Sequence, residues 1–188
     1  MIDRHSAVTR AYPIPGQTWP SELCWLYDNL AGDKKMHVEV GVYCGRSLFT
    51  SCASMSRSTI VAVDLEPPPG DKTHPSSDWV NGVRAVTLEA IERLTSNEVR
   101  LSLRGSIEES KRVRKEIGQV DSVFIDGDHT YESASGDIEA WKPLIKQGGL
   151  ICGHDYSTAF PGVMDAVNNL VPGFRVVENT RIWIARIQ

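Results

Sequence analysis

The chain has 188 residues, of which 41% are hydrophobic and 23% charged, close to globular averages and far from the charge-rich signature of disorder. With 20 Lys plus Arg against 24 Asp plus Glu the formal net charge is −4, so no global field draws the chain onto nucleic acid or an anionic membrane. Its apolar runs are strand-sized and its first residues lack a secretory signal, so one cytoplasmic domain spanning residues 1–188, with no nucleic-acid or membrane partner, is expected.

Residues 1–18 read as an irregular, Pro-containing arm. A first helix follows in PSELCWLYDNLAG, with Ser21 as N-cap, Leu23, Leu26, Tyr27 and Leu30 on one face, and Gly32 as terminator. From Met36 onward short apolar runs alternate with helical patterns: MHVEVG, RSLFTSCASM, TIVAVD, WVNGVRAVTLEAIERL, VRLSLR, IEESKRVRKEI, VDSVFID, YESASGDIEAWKPLIK and GLICGHD. This alternation predicts a doubly wound α/β fold, a mostly parallel sheet joined by crossover helices. The runs at 60–64, 122–125 and 150–152 are continuously apolar, as expected of strands covered on both faces. Pro143 predicts a kink in the helix that carries Ile138, Trp141, Leu144 and Ile145 to the core.

Towards the end, PGVMDAVNNL gives one more helix, with Pro161 in its first turn and Pro172-Gly173 as its stop. FRVVENTRIWIARI then leaves no room for a crossover, so its two strands form an antiparallel hairpin. The one long polar loop, Glu66 to Asp78, lies beside a strand end and is a candidate lid. Cys24, Cys44, Cys52 and Cys152 include no CxxC pair and read as reduced packing thiols, and the charge run ESKRVRKE reads as a solvated helix face.

Two constellations carry chemistry. In the first, a strand runs through Glu39, Gly41, Tyr43, Gly45 and Ser47 into a helix, which brings a glycine turn and a helix N-terminus to the carboxyl end of a central strand. Doubly wound folds bind nucleotides there. Glu39 can accept hydrogen bonds from a ligand, and Asp64 ends the next strand about 20 residues on, where a ribose-binding carboxylate follows such turns. Taken alone, the glycines end a strand and cap a helix; together with Asp64 they point to an adenosine-containing ligand. A dinucleotide fits less well, because Tyr43 stands where GxGxxG has its middle glycine and no Tyr-x-x-x-Lys pair occurs.

The second constellation joins VDSVFIDGDHTYE to GGLICGHDY. Their strands are predicted neighbours, so Asp126, His129, His154 and Asp155 converge on one rim beside the Gly41 turn. Each alone reads as a turn former or a strand-end histidine. As a group, carboxylates with an imidazole suit Mg²⁺ or Mn²⁺, which would act as a Lewis acid on a substrate hydroxyl.

EVGVYCGRS, VAVDLEP, FIDGDHTYE and GGLICGHDY, in that order and spacing, resemble the class I S-adenosylmethionine-dependent methyltransferases. Within that class they look most like the group of macrocin-type sugar O-methyltransferases, and more distantly like catechol O-methyltransferase. The resemblance implies a Rossmann-like, seven-stranded sheet ending in an antiparallel hairpin. It implies that Glu39, Gly41 and Gly45 hold the methionine part of the cofactor, with Tyr43 and Ser47 of the same turn also binding cofactor, Asp64 the ribose and Gly105-Ser106 the adenine. It implies further that Asp126 borders the cofactor and is a metal ligand with His154 and Asp155, and that His129 is the general base. Two features depart from the pattern. His154 stands where relatives carry an acid or amide pair partner, and the segments that cover substrate in larger relatives are lacking, a cover that a homo-oligomer would supply.

The expected function is S-adenosylmethionine-dependent O-methylation of a small-molecule hydroxyl, a sugar or other vicinal diol, with a divalent ion assisting and His129 taking the proton. A metal-independent methyltransferase, an NAD-dependent oxidoreductase and a non-catalytic adenosyl-ligand module stay open as alternatives.

Overall fold

The computed structural model describes residues 2–65 and 76–188. The chain runs α1 (Arg4–Ala11), α2 (Pro20–Leu30), β1 (Gly32–Asp33), β2 (Met36–Val40), α3 (Arg46–Ser54), β3 (Met55–Ser56), β4 (Thr59–Val63), α4 (Ser77–Leu94) and β5 (Glu98–Ser102). It continues α5 (Ser106–Glu116), β6 (Val120–Ile125), α6 (Tyr131–Trp141), a 3-10 turn (Lys142–Leu144), β7 (Ile145–Gly153), α7 (Pro161–Leu170), β8 (Arg175–Val176) and β9 (Trp183–Arg186). Seven strands form one sheet in the order β5-β4-β2-β6-β7-β9-β8. The first five are parallel, and β9 returns antiparallel between β7 and β8. The expected doubly wound architecture with its terminal hairpin is therefore present.

Side chains alternate along each strand, and the two faces build two cores. Val38, Val40, Val123, Ile125, Ile151 and Trp183 pack under α5, α6 and α7 with Val113, Ile138, Trp141 and Val167. Ile60, Ala62, Phe124, Cys152 and Ile184 pack under α1, α2 and α3 with Ala7, Leu23, Leu26 and Leu48. Each such large apolar side chain stabilises the fold by about 1.5–3 kcal/mol relative to exposure. The same alternation turns His37 and Glu39 towards the second core, where both are fully buried.

Several local expectations are corrected. The irregular arm contains α1, because Asp3 caps it by accepting from the Ser6 N–H at 3.0 Å, and Ala7 and Ala11, one turn apart, bury against the neighbouring helices. The N-cap of α2 is Trp19 rather than Ser21, because Pro20 takes the first helical position, where its missing N–H has no penalty. That helix ends at Leu30, and Gly32 opens β1, which pairs with β3 in a small parallel ladder that the pattern did not reveal. Pro143 does not kink a helix but ends it: α6 stops at Trp141 and passes through the 3-10 turn into β7. Of the candidate lid, residues 66–75 lie outside the described residues, and Asp78 sits in the first turn of α4. Among the described residues no helix is long and apolar enough to cross a membrane. Cys44, Cys52 and Cys152 are buried, Cys24 is partly so, and all four are free thiols.

Candidate active site

The carboxyl ends of β2, β4, β6 and β7 form one rim, and the parallel register brings the two constellations side by side. Gly41 leaves β2 with φ +83°, and a Cβ there would lie 1.9 Å from the Asp126 carbonyl oxygen, so only glycine lets the β2 turn pass the end of β6. Tyr43 at φ +51° and Gly45 at φ +92° complete the turn, and Gly45 caps α3. The α3 N-terminus thus opens onto the rim, as a ligand with an anionic or polar group requires.

Within this half the side chains divide. Glu39 is buried and accepts from the Ser47 hydroxyl at 2.7 Å and the Ser51 hydroxyl at 3.2 Å, because the strand alternation that places Gly41 at the turn turns Glu39 under α3. Ser47 is committed to the same bond, so these two residues brace the turn. Asp64 does stand at the rim. Its Oδ2 accepts from the Tyr43 N–H at 2.7 Å and from Arg84 Nη1 at 2.8 Å, while Oδ1 accepts from the Leu65 N–H at 2.8 Å. A carboxylate offers about four acceptor sites, so these contacts among the described residues leave Oδ1 room for a further donor such as a ribose hydroxyl. Arg84, on α4 and only 2% exposed, was not found from sequence, because nothing in a helical pattern distinguishes it from a surface arginine. Gly105 caps α5 at the end of β5, and the Ser106 hydroxyl accepts from Trp141 Nε1 at 2.8 Å, which leaves only the backbone of this pair facing outward chemistry.

The second constellation converges as expected. Asp126 directly follows β6, with its N–H bound to the Val40 carbonyl at 2.7 Å and its side chain 20% exposed. His129 precedes the Thr130 cap of α6, stacks on Phe160 with ring centroids 4.1 Å apart, and places Nε2 2.8 Å from Asp155 Oδ2. Its side chain is 42% exposed, so the ring is open to the rim. The contact with Asp155 raises the His129 pKa above the ordinary imidazole value, against the smaller opposing effect of burial. Asp128 remains a turn former, accepting from the N–H and hydroxyl of Thr130. Asp155 has φ +59°, a left-handed conformation that aspartate tolerates better than most residues, and this aims its carboxylate back over the rim.

His154 is almost fully buried, and the structure adds two residues that the motifs did not contain. Its Nδ1 lies 3.2 Å from Asp155 Oδ1 and 3.5 Å from Asp126 Oδ1, and its Nε2 lies 3.1 Å from Glu22 Oε2. Glu22 also accepts from the Trp19 N–H at 2.8 Å and from the Arg181 N–H at 2.9 Å, tying α2 to the entry of β9. Arg181 Nη1 lies 3.1 Å from Asp155 Oδ1, with its guanidinium over the exposed Trp19 ring. Burial alone would push the His154 pKa down, but the carboxylates of Asp126, Asp155 and Glu22 overcome it and hold the value up at about 11. Asp155 is held far below its usual range: burial opposes this, and His129 and His154 prevail. Neither Glu22 nor Arg181 carries a sequence motif, since both reach the site through long-range packing.

Asp126, His154 and Asp155 offer one donor atom each within 4.8 Å of one another, which in residue type suits Mg²⁺ or Mn²⁺. His154 Nε2 and Asp155 Oδ1 are buried and have no hydrogen-bond partner among the described residues, so the set retains free donor atoms for such an ion.

A doubly wound sheet with a glycine turn and a strand-end acid at the carboxyl ends of its strands has the layout of a nucleotide-type cofactor site. Residues 38–156 match the family described as a methyltransferase domain, and the chain belongs to that family. The fold is that of class I methyltransferases. A TDP-rhamnose 3'-O-methyltransferase, CalS11, superposes with a TM-score of 0.62 at 16% identity, covering 97% of this chain and 93% of its own. An O-methyltransferase from Bacillus cereus, solved with SAH, superposes with a TM-score of 0.67 at 15% identity over 100% of this chain and 93% of its own. An uncharacterized protein of Acanthamoeba polyphaga mimivirus is 24% identical over 153 residues, 78% of this chain, which spans 65% of that relative's length.

Proposed function

We propose that the protein transfers a methyl group from S-adenosylmethionine to a hydroxyl of a small molecule, a sugar or another acceptor with adjacent oxygens. The observation that carries this reading is the half-exposed His129, oriented by Asp155 beside the Gly41 turn. When bound, S-adenosylmethionine supplies a methyl group activated by a sulfonium, so the protein's task is alignment and removal of one proton.

Asp64 would accept from the ribose and the α3 N-terminus would receive the polar end of the cofactor, with Gly41 and Gly45 allowing close approach and Glu39 and Ser47 stiffening the turn from below. Asp155 accepts a hydrogen bond from the Nε2–H of His129, which fixes the tautomer with the Nδ1 lone pair free for the acceptor hydroxyl. As the new O–C bond forms and the C–S bond breaks, the hydroxyl proton passes to Nδ1. Asp126, with its side chain part-exposed on the same rim, accepts from the acceptor and orients it. Asp126, His154 and Asp155 would hold a divalent ion, which would supply a Lewis acid for the acceptor hydroxyl.

The net charge of −4 favours a small neutral or cationic acceptor over nucleic acid. Two resembling structures, one named for TDP-rhamnose and one for O-methylation, are in keeping with a hydroxyl acceptor. Calorimetric titration with S-adenosylhomocysteine, with NAD as control, tests the reading. Micromolar binding of the first and none of the second supports it, and absence of S-adenosylhomocysteine binding removes it.

A further inference from the structure

The inner and outer faces of α4 are built from opposite materials. Inward, Arg84 is 2% exposed and pairs with Asp64, and Val80, Thr87 and Ile91 are buried, so this side of the helix belongs to the fold. A solvated outer face is expected to carry charged and polar residues. Over its first turns this one carries Trp79, Gly82, Ala85 and Val86, with Trp79 44% and Val86 66% exposed. Gly82 stands out among them. It is exposed in a helix interior, where glycine is disfavoured relative to alanine, its φ is not positive, and an added Cβ would meet nothing within 4 Å. Nothing in the chain's own fold requires a glycine there, whereas close approach of a second backbone does.

The face is also complementary to itself. Gly82 and Ala90 lie four positions to either side of Val86, and Trp79 and Arg93 lie seven. A two-fold axis through Val86 therefore lays two α4 helices antiparallel, with Val86 against its own counterpart, Gly82 against Ala90, and Trp79 against the end that holds Arg93 and the 40% exposed Leu94. The same arrangement sets Asp78 near Arg93 and brings Glu89 and Glu92 to the first turn of the facing helix, the end whose backbone dipole favours negative charge. We propose that the outer face of α4 is a homodimer interface, occupied by the same face of a second copy of this chain. Gly82 and Ala90 let the helices approach to the short end of the usual spacing of about 8–10 Å. From Trp79 to Leu94 the face is about 22 Å long at 1.5 Å per residue. One helix face of that length is smaller than the roughly 800 Å² per partner of a standard interface, so the dimer is a micromolar one. The interface does not depend on the methyltransferase reading.

The test is sedimentation velocity of the full chain from about 2 µM to about 500 µM, a range that spans micromolar affinity. The mass should rise from 20.8 kDa towards twice that value. Val86→Glu sets like charges face to face on the axis and should raise the dissociation constant at least about tenfold. Because Val86 is exposed, the variant should keep the wild-type circular dichroism. Val86→Cys reads the symmetry directly: under mild oxidation its chains should crosslink in pairs, whereas wild type and Glu92→Cys, six positions from the axis, should not. A monomer at every concentration, a dimer that Val86→Glu leaves intact, or equal crosslinking at both positions overturns the proposal.

Discussion

The two halves of the rim are assembled in opposite ways. The half proposed to hold the cofactor comes from one continuous βαβ stretch, from Glu39 through the Gly41 turn and α3 to Asp64, closed by backbone N–H groups and one arginine. The half proposed to face the acceptor is gathered from four distant segments, contributing Glu22, Asp126 with His129, His154 with Asp155, and Arg181. Local construction gives a turn whose geometry is set by glycines and hydrogen bonds. Long-range construction gives a charge cluster whose behaviour depends on every partner arriving. Mutations in the first half should therefore act on cofactor affinity or folding, and those in the second on turnover and its pH dependence.

His129→Ala gives the sharpest separation. Turnover with a verified acceptor should fall about 10²–10⁴-fold, the usual worth of a positioned general base, with S-adenosylhomocysteine affinity preserved. Equal loss of both would erase the distinction between halves. Gly41→Ala attacks the seam between them, since the added Cβ meets the Asp126 carbonyl and φ is +83°. A left-handed site costs roughly 1–2 kcal/mol for a side chain and overpacking typically 1–3, so denaturant midpoints should report a loss of about 2–5 kcal/mol. Asp64→Asn keeps a partner for the buried Arg84 while removing a charged acceptor. S-adenosylhomocysteine should bind about tenfold more weakly or worse, with turnover at saturation little changed.

The pH profile probes the acceptor half alone. Because Asp155 raises the His129 pKa, turnover should increase with pH and reach half its plateau above about 6.5, and Asp155→Asn should shift that midpoint downward. For His154 the sign runs the other way in stability. Its folded pKa of about 11 lies above the unfolded value near 6.5, so its contribution is complete below pH 6.5 and fades towards 11. The stability gap between wild type and His154→Gln, measured by denaturant titration, should narrow across that window. The smallest effect belongs to neither half. Arg93 and Glu89 pair on an exposed turn of α4, so Arg93→Ala should change stability by no more than about 0.5 kcal/mol.

Sequence alone was enough for the sheet, because period-2 and period-3.6 patterns are local and the apolar runs of β4, β6 and β7 are unbroken. It was enough as well for the rim residues carried by those strand ends, Asp64, Asp126, His129, His154 and Asp155, since parallel strands deliver their carboxyl ends to one side. What the pattern could not set was which way each polar side chain turned. Glu39 was legible as a strand-end acid, yet the pleat sends it beneath α3 to Ser47 and Ser51. Nor could it foresee α1, whose few buried alanines matter only once α3 is there to receive them. The surroundings of His154 were beyond its reach for the same reason: Glu22, 3.1 Å from its Nε2, is brought there only by the packing of α2 and the return of β9. Motifs determine which groups reach the rim through local chain geometry; their charge states are settled by neighbours from the rest of the chain, because burial makes each proton depend on who else is within about 4 Å.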